Sequence, residues 1–432
     1  MEIYIVQKGD TINSIAEKFG ADVLRLIQDN GLEYPYNISP GQTIVITHPK
    51  VTHTVQAGDT LQGISELYQV DLMQILRNNP FLSEREYIYP DEVLVIRYDT
   101  SRSLTIMGFA FPFISDTALA KSLPNLTYLS VYNYVVTEKG AINSYSDDIQ
   151  IIQLSKAYGV IPLLTLTSLT LQGVPNIDIA YSVLMNDEYI DNMINDIFNI
   201  LAAKGYYGIN FIFNYVNEIN QSLFLHTVRK ISSRLMQSDY LFFLSFNYSE
   251  KIVDNVITFE KIDYSAFSQY VSSMTFLKFI WGTNYGPPAP VSNMKNIREI
   301  INYAFETGVP PDKVSIGQPL LGYDWKLPYI PKQSVATALS ITSALDFAYV
   351  FASIIEFDDE SQTPFFNYSE MSSNITTEHV IWFIDARSID ALNDLIIETG
   401  VSGCGIWNVM VYNPQVYTVI NSQFDIVKLI EF

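Results

Sequence analysis

"GYYGINFIFNYVNEIN", residues 205–220, reads as a short buried strand that runs out into a polar loop. Loops at the ends of barrel strands often carry catalytic carboxylates, yet this strand holds none. The nearest acid, Glu218, follows only after the strand has ended. Runs of the same kind recur from Leu104 onward, alternating with helical segments: "LTIMGFAF", "LTYLSVYNY", "GVIPLLTLTS", "LFFLSFN", "SSMTFL", "KVSIGQPLLGY" and "GCGIWNV". Together with "YGINFIF" they make eight apolar strands over about 330 residues, which predicts an α/β fold, a (β/α)8 TIM barrel. Two further pieces, "TPFFNYS" and "HVIWFIDA", fall between the seventh and eighth strands and are expected to pair as an excursion.

Ahead of the barrel the chain repeats itself. "YIVQKGDTINSIAEKFGADVLRLIQDN" (Tyr4 to Asn30) aligns with "HTVQAGDTLQGISELYQVDLMQILRNN" (His53 to Asn79) at a constant offset of 49 positions (53 − 4). Each copy closes on a Pro and a short apolar strand, "ISPGQTIVI" and "IYPDEVLVI". The pattern predicts a βααβ unit. A short strand meets a Gly-Asp-Thr turn in which Asp10 or Thr11 caps the next helix. Ile12, Ile15, Ala16 and Phe19 form its apolar stripe, and Gly20 stops it. The boundaries follow as 1–48 and 50–98 for the modules and 103–432 for the barrel, with "RYDTSRS" (97–103) as linker.

The net charge of −21, from 25 basic and 46 acidic residues, argues against nucleic acid or an anionic membrane as partner. Cys404 is the only cysteine, so no intrachain disulfide forms. His48, His53, His226 and His379 are scattered without metal-ligand spacing, and no metal or cofactor is expected. No signal peptide is visible in "MEIYIVQKGD", and no apolar run reaches the roughly 18 residues of a membrane span.

Both repeats resemble LysM modules, on the V-x-x-G-D-T-I/L opening, the helix-one centre and the Asn before the closure. The resemblance implies a groove for N-acetylglucosamine-containing glycan between the Gly-Asp-Thr turn and the loop after the second helix. It points to Gly9, Asp10, Thr11, Ile12, Asn30 and Ile38 in the first copy. In the second it points to Gly58, Asp59, Thr60, Leu61, Asn79, Pro80 and Ile88. The stretch 281–329, with "YNYVVTEKGAIN", "WFIDARS" and "GCGIWNV", resembles glycoside hydrolase family 18, and more closely its LysM-bearing, YaaH-type spore cortex-lytic N-acetylglucosaminidases.

That resemblance implies substrate-assisted hydrolysis, with alternate residues at the end of strand four in the pattern D/N-x-D-x-E. The alternation has a physical cause, because residues two apart on a strand point into the same lumen. Here the set is Asn210, Ile212 and Asn214: Ile212 stands where the acetamido-orienting Asp is expected, and Asn214 where the acid is expected. On strand six the family pattern M-x-Y-D becomes "MTFL", with Phe276 and Leu277 in place of two polar groups, and Ile384 replaces an acid in "WFIDARS". Glu218 is the fallback acid. Trp281, Tyr285, Asp324 and Trp407 are expected to line the cleft.

The reading is a protein that binds peptidoglycan or spore-cortex glycan and whose barrel is catalytically silent. The alternatives are an active N-acetylglucosaminidase with displaced residues and a structural coat or assembly protein that contacts spore-coat proteins. By resemblance, the protein is made in the mother cell and deposited in the spore coat or cortex.

Overall fold

The computed structural model describes every residue except 86, 101, 168–175, 249, 254–255, 279–282, 373–374 and 431–432. The N-terminal module pairs strands Glu2–Ile5 and Thr43–Ile46 antiparallel around helices α1 (Ile12–Phe19) and α2 (Val23–Asn30). Thr11 caps α1: its hydroxyl accepts from the Ser14 N–H at 3.1 Å and the Ser14 hydroxyl accepts from the Thr11 N–H at 3.0 Å. Asp10 does other work, accepting from the Gln7 N–H (2.7 Å) and the Tyr4 hydroxyl (2.8 Å) and so holding the turn to the strand. Gly20 ends α1 in the left-handed region, at φ +62°.

The second module repeats this with strands Val51–Thr54 and Val93–Arg97 and helices α3 (Leu61–Tyr68) and α4 (Leu72–Asn78). Thr60 caps α3, and Asp59 accepts from Gln56 N–H and from His53 Nε2. The Gln56 N–H and His53 hold the Asp59 carboxyl below its ordinary range.

From Arg102 the chain forms the barrel. Its parallel strands are β1 (Arg102–Ala110), β2 (Tyr128–Val136), β3 (Ile161–Thr167), β4 (Gly208–Phe213), β5 (Leu241–Phe246), β6 (Ser273–Phe276), β7 (Val314–Pro319) and β8 (Gly403–Trp407). They hydrogen-bond in chain order, and β8 closes on β1 with Gly403 opposite Thr105. Between β7 and β8 the chain makes the expected excursion, larger than the two pieces alone suggest. Thr363–Ser372 pairs with Ile375–Trp382 in a six-stranded antiparallel sheet that also takes Gly322–Leu327, Ala336–Leu339, Glu356–Asp358 and Thr283–Asn284.

The modules are built onto the barrel, not strung before it. The strand Thr43–Ile46 is buried on both faces: Ile44 and Ile46 enter the module core, while Val45 enters the core of the barrel. The helix Pro414–Asn421, which follows β8, is the main seat. Gln415 donates to Asn30 Oδ1 and to the Thr43 carbonyl, both at 2.9 Å, and Thr418 donates to the Asp29 carbonyl at 3.1 Å. Asn421 donates to the carbonyl of Arg77 in the second module at 3.4 Å.

A buried polar knot ties β2 to the helices outside it. The Asp148 carboxylate accepts from Tyr134, from Tyr206 (2.7 Å) and from Asn133 (3.1 Å), and pairs with Lys204 at 3.0 Å. Burial alone raises its pKa, but these partners outweigh burial and hold it below the ordinary value. A depressed folded-state pKa stabilises the fold above the unfolded value of about 4 and is lost as pH falls through the folded one. Asp148→Asn is therefore expected to cost about 2–3 kcal/mol at pH 7. In urea melts the difference from wild type should close as the pH is lowered below about 4; a gap independent of pH would contradict this account.

Candidate functional site

The strand-four residues lie where their spacing puts them. Phe211 and Phe213 face the helices, and Asn210 and Ile212 face the lumen. Asn210 belongs to a polar layer low in the barrel: its amide donates to Ser130 Oγ at 2.9 Å, its oxygen accepts from Ser245 at 3.0 Å, and Ser130 in turn bonds Thr165. Above it comes an apolar layer in which Ile212 packs with Phe109, Tyr132, Leu277 and Trp407. Asn214 sits higher still, 4% exposed, donating to Thr167 Oγ1 at 3.4 Å and accepting from Asn247 at 2.9 Å. At these three positions β4 and the residue after it thus present amides and hydrocarbon. Burial pushes the Tyr132 hydroxyl pKa upward, as a phenol among apolar neighbours requires.

Several expected cleft residues are placed elsewhere. Phe276 points outward, stacked on Phe246 and edge-on to Tyr264, because Thr275 and Leu277 take the inward face and strand alternation sends Phe276 the other way. Ile384 is likewise buried in the outer core and not in the lumen. Of the substituted positions, Ile212 and Leu277 meet in one layer. Trp407 does line the lumen but is 1% exposed, with Phe109, Tyr132 and Phe111 packed edge-on against it at 5.6, 5.9 and 6.1 Å. Its face is already covered by protein, so it does not floor an open subsite.

Asp324 is spent inside the excursion sheet, where it accepts from the Tyr368 hydroxyl at 2.9 Å and pairs with His379 at 3.0 Å. Tyr285 is exposed, its carbonyl accepting from Tyr329 at 2.8 Å; Trp281 lies outside the described residues. Glu218 is exposed on the loop after β4, where its charge, with those of Asp263 and Glu306, adds to burial in raising the Tyr303 hydroxyl. Tyr303 belongs to the helix Met294–Glu306. Among the described residues no cluster of three or more His, Cys, Asp or Glu side chains is arranged to hold a metal.

In the modules the expected groove residues divide into two kinds. Gly9, Thr11, Gly58 and Thr60 are exposed, with Gly9 and Gly58 at φ +93° and +97°. Asp10 and Asp59 are half-buried and turned back onto their own turns. Ile12 is core; Leu61, Ile38 and Ile88 pack partly buried against their module cores, and Pro80 opens a 3-10 turn. Asn30 and Asn79 are corrections to the expected groove. Asn30 bonds the Leu26 and Val45 carbonyls and the Val45 N–H; Asn79 does the same with Ile75 and Val95. These side chains clamp the last strand to the second helix and have no group left for a sugar.

Residue-type reasoning missed the tyrosines of the same loops. Tyr34 and Tyr87 are 85% and 68% exposed, and Tyr89 is 55% exposed. The signal was present, since each copy carries a Tyr-x-Tyr triplet in the corresponding loop.

The LysM domain model matches residues 4–47 and 53–97, and the model for glycosyl hydrolases family 18 matches 173–410. A cortical fragment-lytic enzyme of Bacillus anthracis is 31% identical over 441 residues, covering 99% of each chain. The enzyme of the same name from Bacillus subtilis (strain 168) is 29% identical over 434 residues, again covering 99% of each. The crystal structure of the spore cortex-lytic enzyme SleL of Bacillus megaterium QM B1551 superposes with a TM-score of 0.79 at 27% identity, covering 99% of both chains. No helix among the described residues is long and apolar enough to cross a membrane. With its two repeats, its closed parallel barrel and these relatives, the chain belongs to glycosyl hydrolases family 18 and carries two LysM domains ahead of the barrel.

Proposed function

We propose that this protein binds N-acetylglucosamine-containing cortex peptidoglycan through its LysM domains and that its barrel does not hydrolyse it. The observation that carries the second half is the lumen set on β4: Asn210, Ile212 and Asn214, all at most 4% exposed and none ionisable. A carboxamide cannot hand a proton to a leaving alkoxide, and a positioned general acid contributes about 10²–10⁴ in rate. Ile212 supplies no oxygen to orient an acetamido group. The fallback acid, Glu218, lies exposed on the loop after β4, and a base or acid acts only within hydrogen-bond reach of the reacting atom.

The first half is supported by the exposed Gly-Asp-Thr turns, present twice, and by the cortical fragment-lytic and spore cortex-lytic names of the relatives. Purified protein incubated with cortex fragments should release no new reducing ends above the blank. Steady release that Glu218→Gln abolishes would overturn the reading. On insoluble peptidoglycan the full chain should be retained, and Gly9→Glu with Gly58→Glu should weaken retention about fivefold or more, the factor equivalent to roughly 1 kcal/mol. Undiminished retention of that pair would count against the LysM turns as the binding surface.

A further inference from the structure

A further cavity lies outside the barrel. It is an open cleft of about 890 Å³ between the two LysM domains. One wall is the turn before α2 and the outward face of α2, where Leu24 is 61% exposed. The other is the loop and strand start of the second domain, from Phe81 and Arg85 to Val93, which is 55% exposed. Neither Gly-Asp-Thr turn contributes to it, so this is a separate surface from the expected grooves.

Its two arginines are fixed and already paired. Arg25 spans the two domains, donating to the Asn78 carbonyl (2.8 Å), to Asn79 Oδ1 (3.1 Å) and to the Tyr98 hydroxyl (3.0 Å) while pairing with Asp29 at 2.8 Å. Arg85 grips Glu92 with two bonds, 2.6 and 2.8 Å, and its guanidinium lies 5.0 Å from the Phe81 ring centre and 5.3 Å from that of Tyr89. With Asp22 and Asp91 also on the lining, the cleft holds no positive charge in excess for an anion. It offers apolar patches beside rigid, hydrogen-bonding groups, which suits a neutral ring with C–H faces and hydroxyl or amide edges.

We infer that this inter-domain cleft is a further saccharide site, taking N-acetylglucosamine units of a chain that also lies on the second domain's Gly58–Leu61 turn. The loop from Asn79 to Val93 connects the two surfaces: it bears the expected groove positions Pro80 and Ile88 and also the cleft wall. A chain reaching both sites gains from the effective concentration that the first contact creates. This inference rests on the glycan-binding reading above.

The test is titration calorimetry of the full chain with soluble N-acetylglucosamine oligomers, a trimer and a hexamer, against wild type and the variant Leu24→Glu with Val93→Glu. Both side chains are mostly exposed, so the fold tolerates them, and trimer binding reports that the Gly-Asp-Thr turns survive. The expected result is a hexamer affinity at least tenfold lower in the variant with trimer affinity unchanged. Equal hexamer affinity in wild type and variant would overturn the cleft alone. A wild type that binds neither oligomer would overturn the cleft together with the glycan-binding reading.

Discussion

Ile212→Asp combined with Asn214→Glu is expected to destabilise the chain by about 3–5 kcal/mol and to restore no hydrolysis. Ile212 is 2% exposed in a layer made of Phe109, Tyr132, Leu277 and Trp407, so the Asp loses aliphatic packing and takes a carboxyl into hydrocarbon. Such a group keeps its proton or forces water into the layer, and neither outcome gives an ionised, oriented carboxylate at neutral pH. Glu at 214 inherits the partners Thr167 and Asn247, which are built for an amide. Leu277 and the covered face of Trp407 would still leave an acetamido group without contacts. Denaturant midpoints and a reducing-end assay read the two halves. A double variant as stable as wild type that turns over cortex fragments would show that only the acids had been missing.

The second large effect concerns how the first LysM domain is held. Gly41 lies at φ +85°, and a Cβ added there would stand 1.9 Å from the backbone oxygen of Ile355, a neighbour that cannot turn aside. The Ile355 N–H donates to the Pro40 carbonyl at 2.9 Å, and Arg387 reaches the Gly41 carbonyl at 3.3 Å. Gly41→Val is therefore expected to lift the domain off the barrel, costing about 3 kcal/mol or more through strain and lost packing. Hydrogen exchange of the Thr43–Ile46 amides should speed up while that of β4 stays unchanged. Equal protection in both proteins would mean that the domain does not depend on this seat. For the same reason, deleting residues 1–98 should leave a poorly soluble barrel. Gln415 through Asn421 are all buried, and the face of this helix that meets the modules would be uncovered, with Gln415 and Thr418 losing their partners Asn30, Thr43 and Asp29 and Asn421 losing the Arg77 carbonyl.

Much of this was legible because it is written in short-range patterns. The βααβ repeats follow from caps, a left-handed glycine and apolar spacing, all of which act within a few residues. The lumen side of Asn210 and Ile212 follows from the period of a strand. Phe276 and Ile384 were misplaced because a motif alignment assigns a position, not a direction: one residue of register separates the lumen from the outer core. Asn30 and Asn79 were misplaced for a different reason. An Asn at the end of a helix is equally suited to a sugar and to a backbone clamp, and only the approach of the strands at Val45 and Val95 decides between them.

By itself, the sequence determined the two repeats, the eight barrel strands, the excursion before β8 and the lack of any ionisable group at the three lumen positions of β4, since each depends on residue type and periodicity. Only the tertiary structure decided that the lumen layer around Ile212 is closed by Trp407 and its aromatic neighbours, that Asn30 and Asn79 are clamps inside their domains, and that the LysM domains share a cleft and a seat on the barrel. Those features arise where separate segments meet, some of them hundreds of residues apart, as Gln415 meets Thr43, and no local pattern records which distant surfaces will be buried against each other.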